Sequence, residues 1–154
     1  MQPRVLALLG GTVLFGQERG NIEALRVLKE QGCEILCVVR DEQWSIHMTP
    51  ALDEQGLAWI KAPYVDPPPR GRVRRYIFSF PVKFIRANWR FAKIARDFRA
   101  THIHVCNAAF VFSFLLGLTL VQVPMIYRAG DEPPVHNWLW RWLWRFVTWR
   151  TKHF

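Results

Sequence analysis

The sequence predicts an α/β fold with a mainly parallel sheet and helices on both faces. Short apolar runs alternate with helical segments along the 154 residues, a pattern typical of βαβ units with right-handed crossovers. The predicted strands are almost continuously apolar, which favours a sheet buried on both faces. Hydrophobic residues make up 51% of the chain, enough for the core of one domain.

The elements follow in order along the chain. RVLALLGG at 4–11 is a buried strand running into a glycine turn, and the helix after it ends at Gly32, a favoured helix-ending residue. EILCVV is the second strand, rich in β-branched residues. The later elements are a short helix near Met48, a strand LAWIKAP, a helix from Pro81 to Phe98, a strand THIHVC, a buried helix over 108–121, a strand PMIYRAG and a closing tryptophan-rich helix.

Positive charge is concentrated in one segment. The formal net charge is +9, and residues 70–99 carry ten Lys or Arg against Asp97 alone. On the helix from Pro81, a narrow basic stripe faces a broad apolar arc, with Lys83, Arg86, Arg90 and Lys93 in the stripe and Phe84, Ile85, Trp89, Phe91, Ile94 and Phe98 in the arc. Two interpretations stay open: a helix covering the sheet with solvated charges, or one that also enters a lipid interface.

The closing helix has a similar composition. Trp138, Trp142, Phe146 and Trp149 share one face, and arginines lie on the neighbouring stripe. Tryptophan favours positions that are apolar at one end and wet at the other. Neighbouring tryptophan and arginine side chains can also bind single-stranded nucleic acid, but the βαβ pattern does not match an RNA-binding module. We therefore expect no nucleic-acid partner.

No metal or disulfide signature stands out. The three cysteines form no CxxC pair, which gives neither a disulfide framework nor a zinc site. His102 and His104 alternate on one strand and face the same side, but HxH without a third ligand more often marks a buried histidine. We expect no metal and no cofactor.

Polar and glycine residues follow three predicted strands. In an open parallel sheet, ligands bind beyond the carboxyl ends of the strands. That position holds Gly10 with Gly11, then Asn107 after Cys106, and finally the segment from Arg128 to His136. We expect these distant segments to meet along one edge and form half of a cleft.

Each of these residues also has a structural interpretation. Gly10 and Gly11 allow a diphosphate to approach backbone amides, or they simply form a tight turn. Asp131 is a possible acid, base or hydroxyl acceptor, or it accepts backbone hydrogen bonds ahead of two prolines. His136 is a proton donor or phosphate contact, or it helps to start the last helix.

Several stretches resemble one known family. GGTVLFGQERGNIEALRVLKEQGCEI, THIHVCN and VPMIYRAGDEPPVHN are similar to the acceptor-side domain of retaining glycosyltransferases of family 4, enzymes of the GT-B architecture with two Rossmann-like domains. The resemblance spans nearly the whole chain. Where the family usually has a histidine that contacts the transferred sugar, this sequence has Gly130 and Asp131, and Cys106 replaces another histidine.

The resemblance implies a set of roles. Residues 1–154 would be the N-terminal, acceptor-side domain, truncated before the C-terminal domain that holds the nucleotide sugar. Gly10 and Gly11 would lie near the donor diphosphate. Asn107, Arg128 and His136 would bind substrate in the cleft, and Asp131 would be the catalytic substitute. Such a domain would transfer a sugar to a glycan or lipid-linked acceptor with retention only when joined to its second half.

The basic and aromatic helices suit a cytoplasmic protein at the inner face of an anionic membrane. The alternative class is a non-catalytic peripheral membrane or interaction module that uses the basic-aromatic helix as its anchor. The sequence does not distinguish this module from an enzyme domain, nor does it identify the sugar, acceptor, linkage or oligomeric state.

Overall fold

The computed structural model describes residues 2–11, 14–41, 47–66, 73–128 and 138–153. Within these ranges six strands form one sheet in the order β3-β2-β1-β4-β5-β6, with every neighbouring pair parallel. The strands are β1 Arg4–Leu9, β2 Glu34–Arg40, β3 Ala58–Ala62, β4 His102–Val105, β5 Met125–Tyr127 and β6 Thr151–His153. This is a Rossmann-like α/β fold with helices on both faces, as the sequence predicts.

Six helices lie between these strands in the described part of the chain. They are α1 Gly16–Glu30, α2 Met48–Glu54, α3 Val73–Asp97, α4 Ala108–Ser113, α5 Leu115–Val121 and α6 Trp138–Arg150. The predicted helix end at Gly32 is confirmed: that glycine has φ +91°, a left-handed conformation that side chains disfavour. Its amide donates to the carbonyl of Lys29, which satisfies one of the last helical oxygens.

Two predicted helices have different bounds. The basic helix begins at Val73 and contains Pro81 in its interior. The ring of Phe80 stacks on Phe84 and lies against Tyr76, so aromatic packing along one side supports the turns on both sides of the proline. The predicted single helix over 108–121 is wrong, because Phe114 (φ −118°, ψ 23°) leaves the helical region and separates α4 from α5.

The core lies on β1, β2 and β4 and beneath the helices that cover them. All residues of β1 after Arg4 are buried, which matches the near-continuous apolar strand of a two-sided sheet. Phe91 of α3 is fully buried and stacks on Phe114, with ring centroids 4.9 Å apart. Cys37 and Cys106 are buried, so these two side chains act as small core residues.

None of the helices in the described ranges is long and apolar enough to cross a membrane.

The sixth strand was not expected from the sequence. Residues Thr151–His153 pair with β5 immediately after α6, so the tryptophan-rich helix ends at Arg150.

Candidate functional site

Three neighbouring strands bring their carboxyl ends to one edge of the sheet. In the strand order, β1, β4 and β5 are adjacent, and Val105 of β4 lies between Leu8 and Tyr127 in the register. Gly10, Cys106 and Arg128 follow these strands directly. The expected meeting of the three segments at a common edge is therefore confirmed for the part of the chain that the structure describes.

Helix α1 connects these strand ends through two polar side chains. Gln17 donates from Nε2 to the carbonyl of Cys106 over 2.8 Å. One turn later, Asn21 accepts a hydrogen bond from Nη1 of Arg128 at 3.2 Å. Gln17 and Asn21 therefore bind the ends of β4 and β5 to the start of α1, a part of the site that sequence reasoning missed. The sequence did contain an indication of this contact, because Asn21 is a polar residue next to Ile22 on the buried face of α1.

The guanidinium of Arg128 lies over α1. A Cβ on Gly20 would be 3.1 Å from its Nη2 atom, a distance tighter than ordinary packing allows. Gly20 therefore provides the space in which Arg128 crosses the helix. The residue remains exposed overall, so its positive charge is available at the edge of the sheet.

The two glycines after β1 have different surroundings. A Cβ on Gly10 would lie 2.4 Å from Cε1 of Tyr64, and one on Gly11 would lie 2.4 Å from Oε1 of Glu18. Close packing against a ring therefore explains Gly10. Beside Gly11 the Glu18 carboxylate lies where an anionic ligand would approach the amides, so a diphosphate there requires this flexible side chain to turn away.

Asn107 caps the helix that follows β4. Its Oδ1 accepts a hydrogen bond from the amide of Ala109 over 2.8 Å, in the usual geometry of an N-cap asparagine. The residue is half-buried. The cap fixes the direction of its side-chain amide, and the amide nitrogen has no partner among the described residues.

Asp131 and His136 lie outside the described residues. Arg128 precedes that segment at the end of β5, so their assignment to the cleft stays a prediction. Among the residues that the structure does describe, no group of three or more His, Cys, Asp or Glu is placed to hold a metal ion.

Two buried polar atoms lie within or next to this site without partners. His104 is 4% exposed and Asn21 fully buried, and neither Nδ1 of the histidine nor Nδ2 of the asparagine has a hydrogen-bond partner in the described structure. Burial, together with the smaller effect of the positive charge of Arg128, lowers the pKa of His104 to about 4. The imidazole is therefore neutral at pH 7, which makes it a poor proton donor there.

This pKa predicts a loss of stability in mild acid. The unfolded chain binds a proton near pH 6.5 and the folded chain only near pH 4, so the stabilising contribution is complete above pH 6.5 and falls as pH drops. Between pH 7.5 and 5 we expect this group alone to cost about 2 kcal/mol of the free energy of unfolding. Urea titrations of wild type and His104→Gln at both pH values measure it. An equal pH effect in both proteins would contradict the assignment.

The site also depends on an arginine at the end of β2. Arg40 is buried, donates from Nε to the carbonyl of Gly10, and forms two hydrogen bonds of 2.7 and 2.8 Å with the carboxylate of Asp66. Its guanidinium also lies 5.1 Å from the ring centre of Tyr64. The glycine turn is thus tied to the segment after β3. An arginine that ends an apolar strand was the available sequence signal.

The sequence matches no protein-family model. A search of curated proteins likewise finds no match.

Solved structures with similar folds are found. MurG from Acinetobacter baumannii is 14% identical with TM-score 0.67, over 97% of this chain and 40% of its own. A glycosyltransferase from Rickettsia africae is 15% identical with TM-score 0.60, over 90% of this chain and 34% of its own. A UDP-N-acetylglucosamine 2-epimerase is 14% identical with TM-score 0.61, over all of this chain and 42% of its own.

At these identities the likeness shows the fold alone. The chain corresponds to one Rossmann-like half of a GT-B fold and spans well under half the length of each of these three structures. The strand-end edge described above is the carboxyl edge at which open parallel sheets bind ligands.

Proposed function

We propose that the chain is the acceptor-side half of a glycosyltransferase that moves a sugar from a nucleotide-sugar donor to a glycan or lipid-linked acceptor. The observation that carries the proposal is the convergence of three strand ends and Arg128 on one edge of the sheet. One of the similar structures is named a glycosyltransferase and another is MurG, and their longer chains leave room for a second half. The sequence resemblance to family 4 adds retention of configuration to the proposal.

In this proposal the second half holds most of the nucleotide sugar. Arg128 is the exposed cation at the edge of the sheet, suited to a phosphate or a developing negative charge on the leaving group. Gly10, Gly11 and Asn107 line the same edge, and Asp131 and His136 follow β5 as the catalytic carboxylate and a substrate-binding imidazole. The chain alone is then inactive, because a donor bound by one half of a cleft is not positioned for attack.

The experiment is disruption of the gene in the source organism. Extracts are incubated with labelled sugar nucleotides, one donor at a time, and label is followed into lipid and glycan fractions. We expect transfer from one donor to disappear and to return when the intact gene is reintroduced. Unchanged transfer from every donor of the panel would contradict the proposal.

A second function is favoured by a specific surface. Val82, Ile85 and Trp89 of α3 are 62–69% exposed, and with 3.6 residues per turn they share the side of the helix opposite the buried Phe91. The neighbouring α5 packs against α3 through Gly117 and exposes Leu116 and Leu120. We define the apolar face as these three α3 residues with the two leucines.

Basic residues flank the apolar face. Arg86 and Lys93 are exposed on α3 beside it. Lys93 is paired with Asp97 over 2.8 Å, so the contribution of about 1 kcal/mol per cation near an anionic membrane is expected from Arg86. The combination suits peripheral binding at the inner face of a membrane, either by the transferase half or by a non-catalytic module. No nucleic acid is part of the proposal.

We expect the chain to sediment with vesicles of phosphatidylcholine and phosphatidylglycerol and much less with phosphatidylcholine alone. Because the charges are exposed, added NaCl should release the protein. Trp89→Ala should lower the bound fraction severalfold, since the indole is an interfacial anchor. Binding that is equal on both vesicle types, or insensitive to this substitution, would exclude the surface as a membrane contact.

A further inference from the structure

A cavity of about 350 Å³ lies beside the site on the β2–β3 side of the sheet. Asp41 after β2 and the segment up to Asp66 after β3 form one wall, and α3 forms the other. Its volume falls in the range of roughly 300–1,000 Å³ that small-molecule sites occupy.

The floor of the cavity is rigid. Tyr64 is buried, donates its hydroxyl to the carbonyl of Val38 over 2.7 Å, and packs edge-on against Phe114 with ring centres 4.7 Å apart. Burial raises its pKa well above the ordinary value, so the phenol stays neutral. Tyr76 joins the two walls, because its hydroxyl donates to the carbonyl of Asp66 over 2.6 Å. A ligand would therefore meet a preformed surface.

The charged side chains of the walls fall into two groups. Asp66 is already neutralised by its two hydrogen bonds to Arg40. Lys83 and Arg86 of α3 and Asp41 have no hydrogen-bond or ion-pair partner among the described residues. Two free cations against one free carboxylate leave a net positive charge, so the cavity favours an anionic ligand that also offers a donor to Asp41.

We propose that this cavity binds a hydroxyl-rich ring carrying a phosphate, such as a sugar phosphate or the phosphorylated head group of a lipid. Lys83 and Arg86 contact the phosphate, and Asp41 accepts hydrogen bonds from ring hydroxyls. Carboxylate oxygens accept such bonds well, and a guanidinium binds phosphate through two parallel donors. The apolar walls near Pro63 and Val65 fit the carbon face of the ring.

The position of the cavity connects it with the candidate site. Arg40 contacts both the carbonyl of Gly10 and the carboxylate of Asp66, so the two regions share one buried side chain. The ring of Tyr64 lines the cavity and lies against Gly10. Calling the ligand the acceptor rests on the proposed function, whereas its binding to the isolated chain does not.

Isothermal titration of the purified chain tests the proposal without any transfer reaction. The ligands are glucose 1-phosphate, mannose 1-phosphate, N-acetylglucosamine 1-phosphate and myo-inositol 1-phosphate, with the unphosphorylated rings and inorganic phosphate as comparisons. We expect at least one phosphorylated ring to bind about tenfold or more tightly than either of its parts. Lys83→Gln and Arg86→Gln should each weaken that binding about tenfold.

The matched control is Arg96→Gln, which removes an exposed cation from the same helix outside the cavity lining. It should leave the binding unchanged. Vesicles of phosphatidylcholine with phosphatidylinositol, compared with phosphatidylglycerol at equal charge, separate the two ligand sources. A preference for phosphatidylinositol that Lys83→Gln abolishes identifies a lipid head group, and binding of soluble ligands alone identifies a free metabolite.

Two results would overturn the proposal. One is the absence of binding by every phosphorylated ring and of any preference for phosphatidylinositol. The other is binding that survives Lys83→Gln and Arg86→Gln unchanged. Neither result bears on the disappearance of sugar transfer after gene disruption, so failure of the cavity and failure of the proposed function are distinguished.

Discussion

Phe91→Ala is expected to lower the free energy of unfolding by about 4 kcal/mol, the largest effect of any substitution considered for this fold. Phe91 is fully buried, stacks on Phe114, and lies against the backbone of α5 at Gly117. Removing the ring leaves a cavity where α3, α5 and the sheet meet. Urea unfolding followed by far-ultraviolet circular dichroism measures the loss.

Trp89→Ala on the same helix is the matched control. Trp89 is 66% exposed, so its removal should change stability by no more than about 0.5 kcal/mol. The two variants therefore separate the side of α3 that supports the fold from the side proposed to meet a membrane. Similar destabilisation by both would mean that the apolar face is covered in the folded protein, and would contradict its role as a free surface.

Gly10→Ala is expected to destabilise the protein by about 2 kcal/mol. The added methyl group would lie 2.4 Å from Cε1 of Tyr64 and 2.8 Å from Cε1 of Phe110, and both of these rings are buried. A buried ring has no free space into which to retreat, so the turn after β1 must move. Because Arg40 donates to the carbonyl of Gly10, we expect the shift to weaken sugar-phosphate binding in the adjacent cavity as well.

Gly16→Ala provides the comparison. Gly16 begins α1, and a Cβ there would meet no atom within 4 Å. Alanine is about 1 kcal/mol more favourable than glycine inside a helix, so this variant should be neutral or slightly more stable. Denaturation curves of both variants decide the matter. Equal stability of Gly10→Ala and wild type would show that the rings near Gly10 are mobile.

Much of the fold follows from the pattern of the sequence. Five strands were predictable because buried parallel strands are short, continuous apolar runs, and Gly32 marked the end of α1 by its conformational requirement. The start of α3 was not predictable, because proline is common at the first position of a helix and Pro81 therefore indicates a helix that begins there. The ring contacts that support the earlier turns form only in the folded chain. The break at Phe114 was hidden for the same reason.

The sequence indicated the edge of the sheet at which the candidate site lies, but it did not indicate all the side chains that meet there. Strand ends of a parallel sheet share an edge, so the placement of Gly10, Asn107 and Arg128 at that edge follows from sequence order, and their roles as site residues stay a prediction. The pairs Gln17 with Cys106 and Arg40 with Asp66 depend on where helices and loops cross the sheet, and no local pattern encodes that. The Glu18 carboxylate beside Gly11 is a contact of the same kind.

Fold alone does not choose the reaction. A UDP-N-acetylglucosamine 2-epimerase shares this fold as closely as a transferase does, and unrelated chemistries often use one architecture. The proposal of sugar transfer therefore rests on the side chains at the strand ends, and chiefly on Arg128, the cation that α1 positions there.

The most direct measurement is the rate of sugar transfer in extracts of the disrupted strain after variants of the intact gene have been reintroduced. We expect Arg96→Gln, which changes an exposed charge away from the strand ends, to restore the wild-type rate. Arg128→Gln, which retains a polar side chain but removes the charge, should restore about a tenth of it or less. Full restoration by Arg128→Gln would contradict the assignment of the reaction to this edge of the sheet.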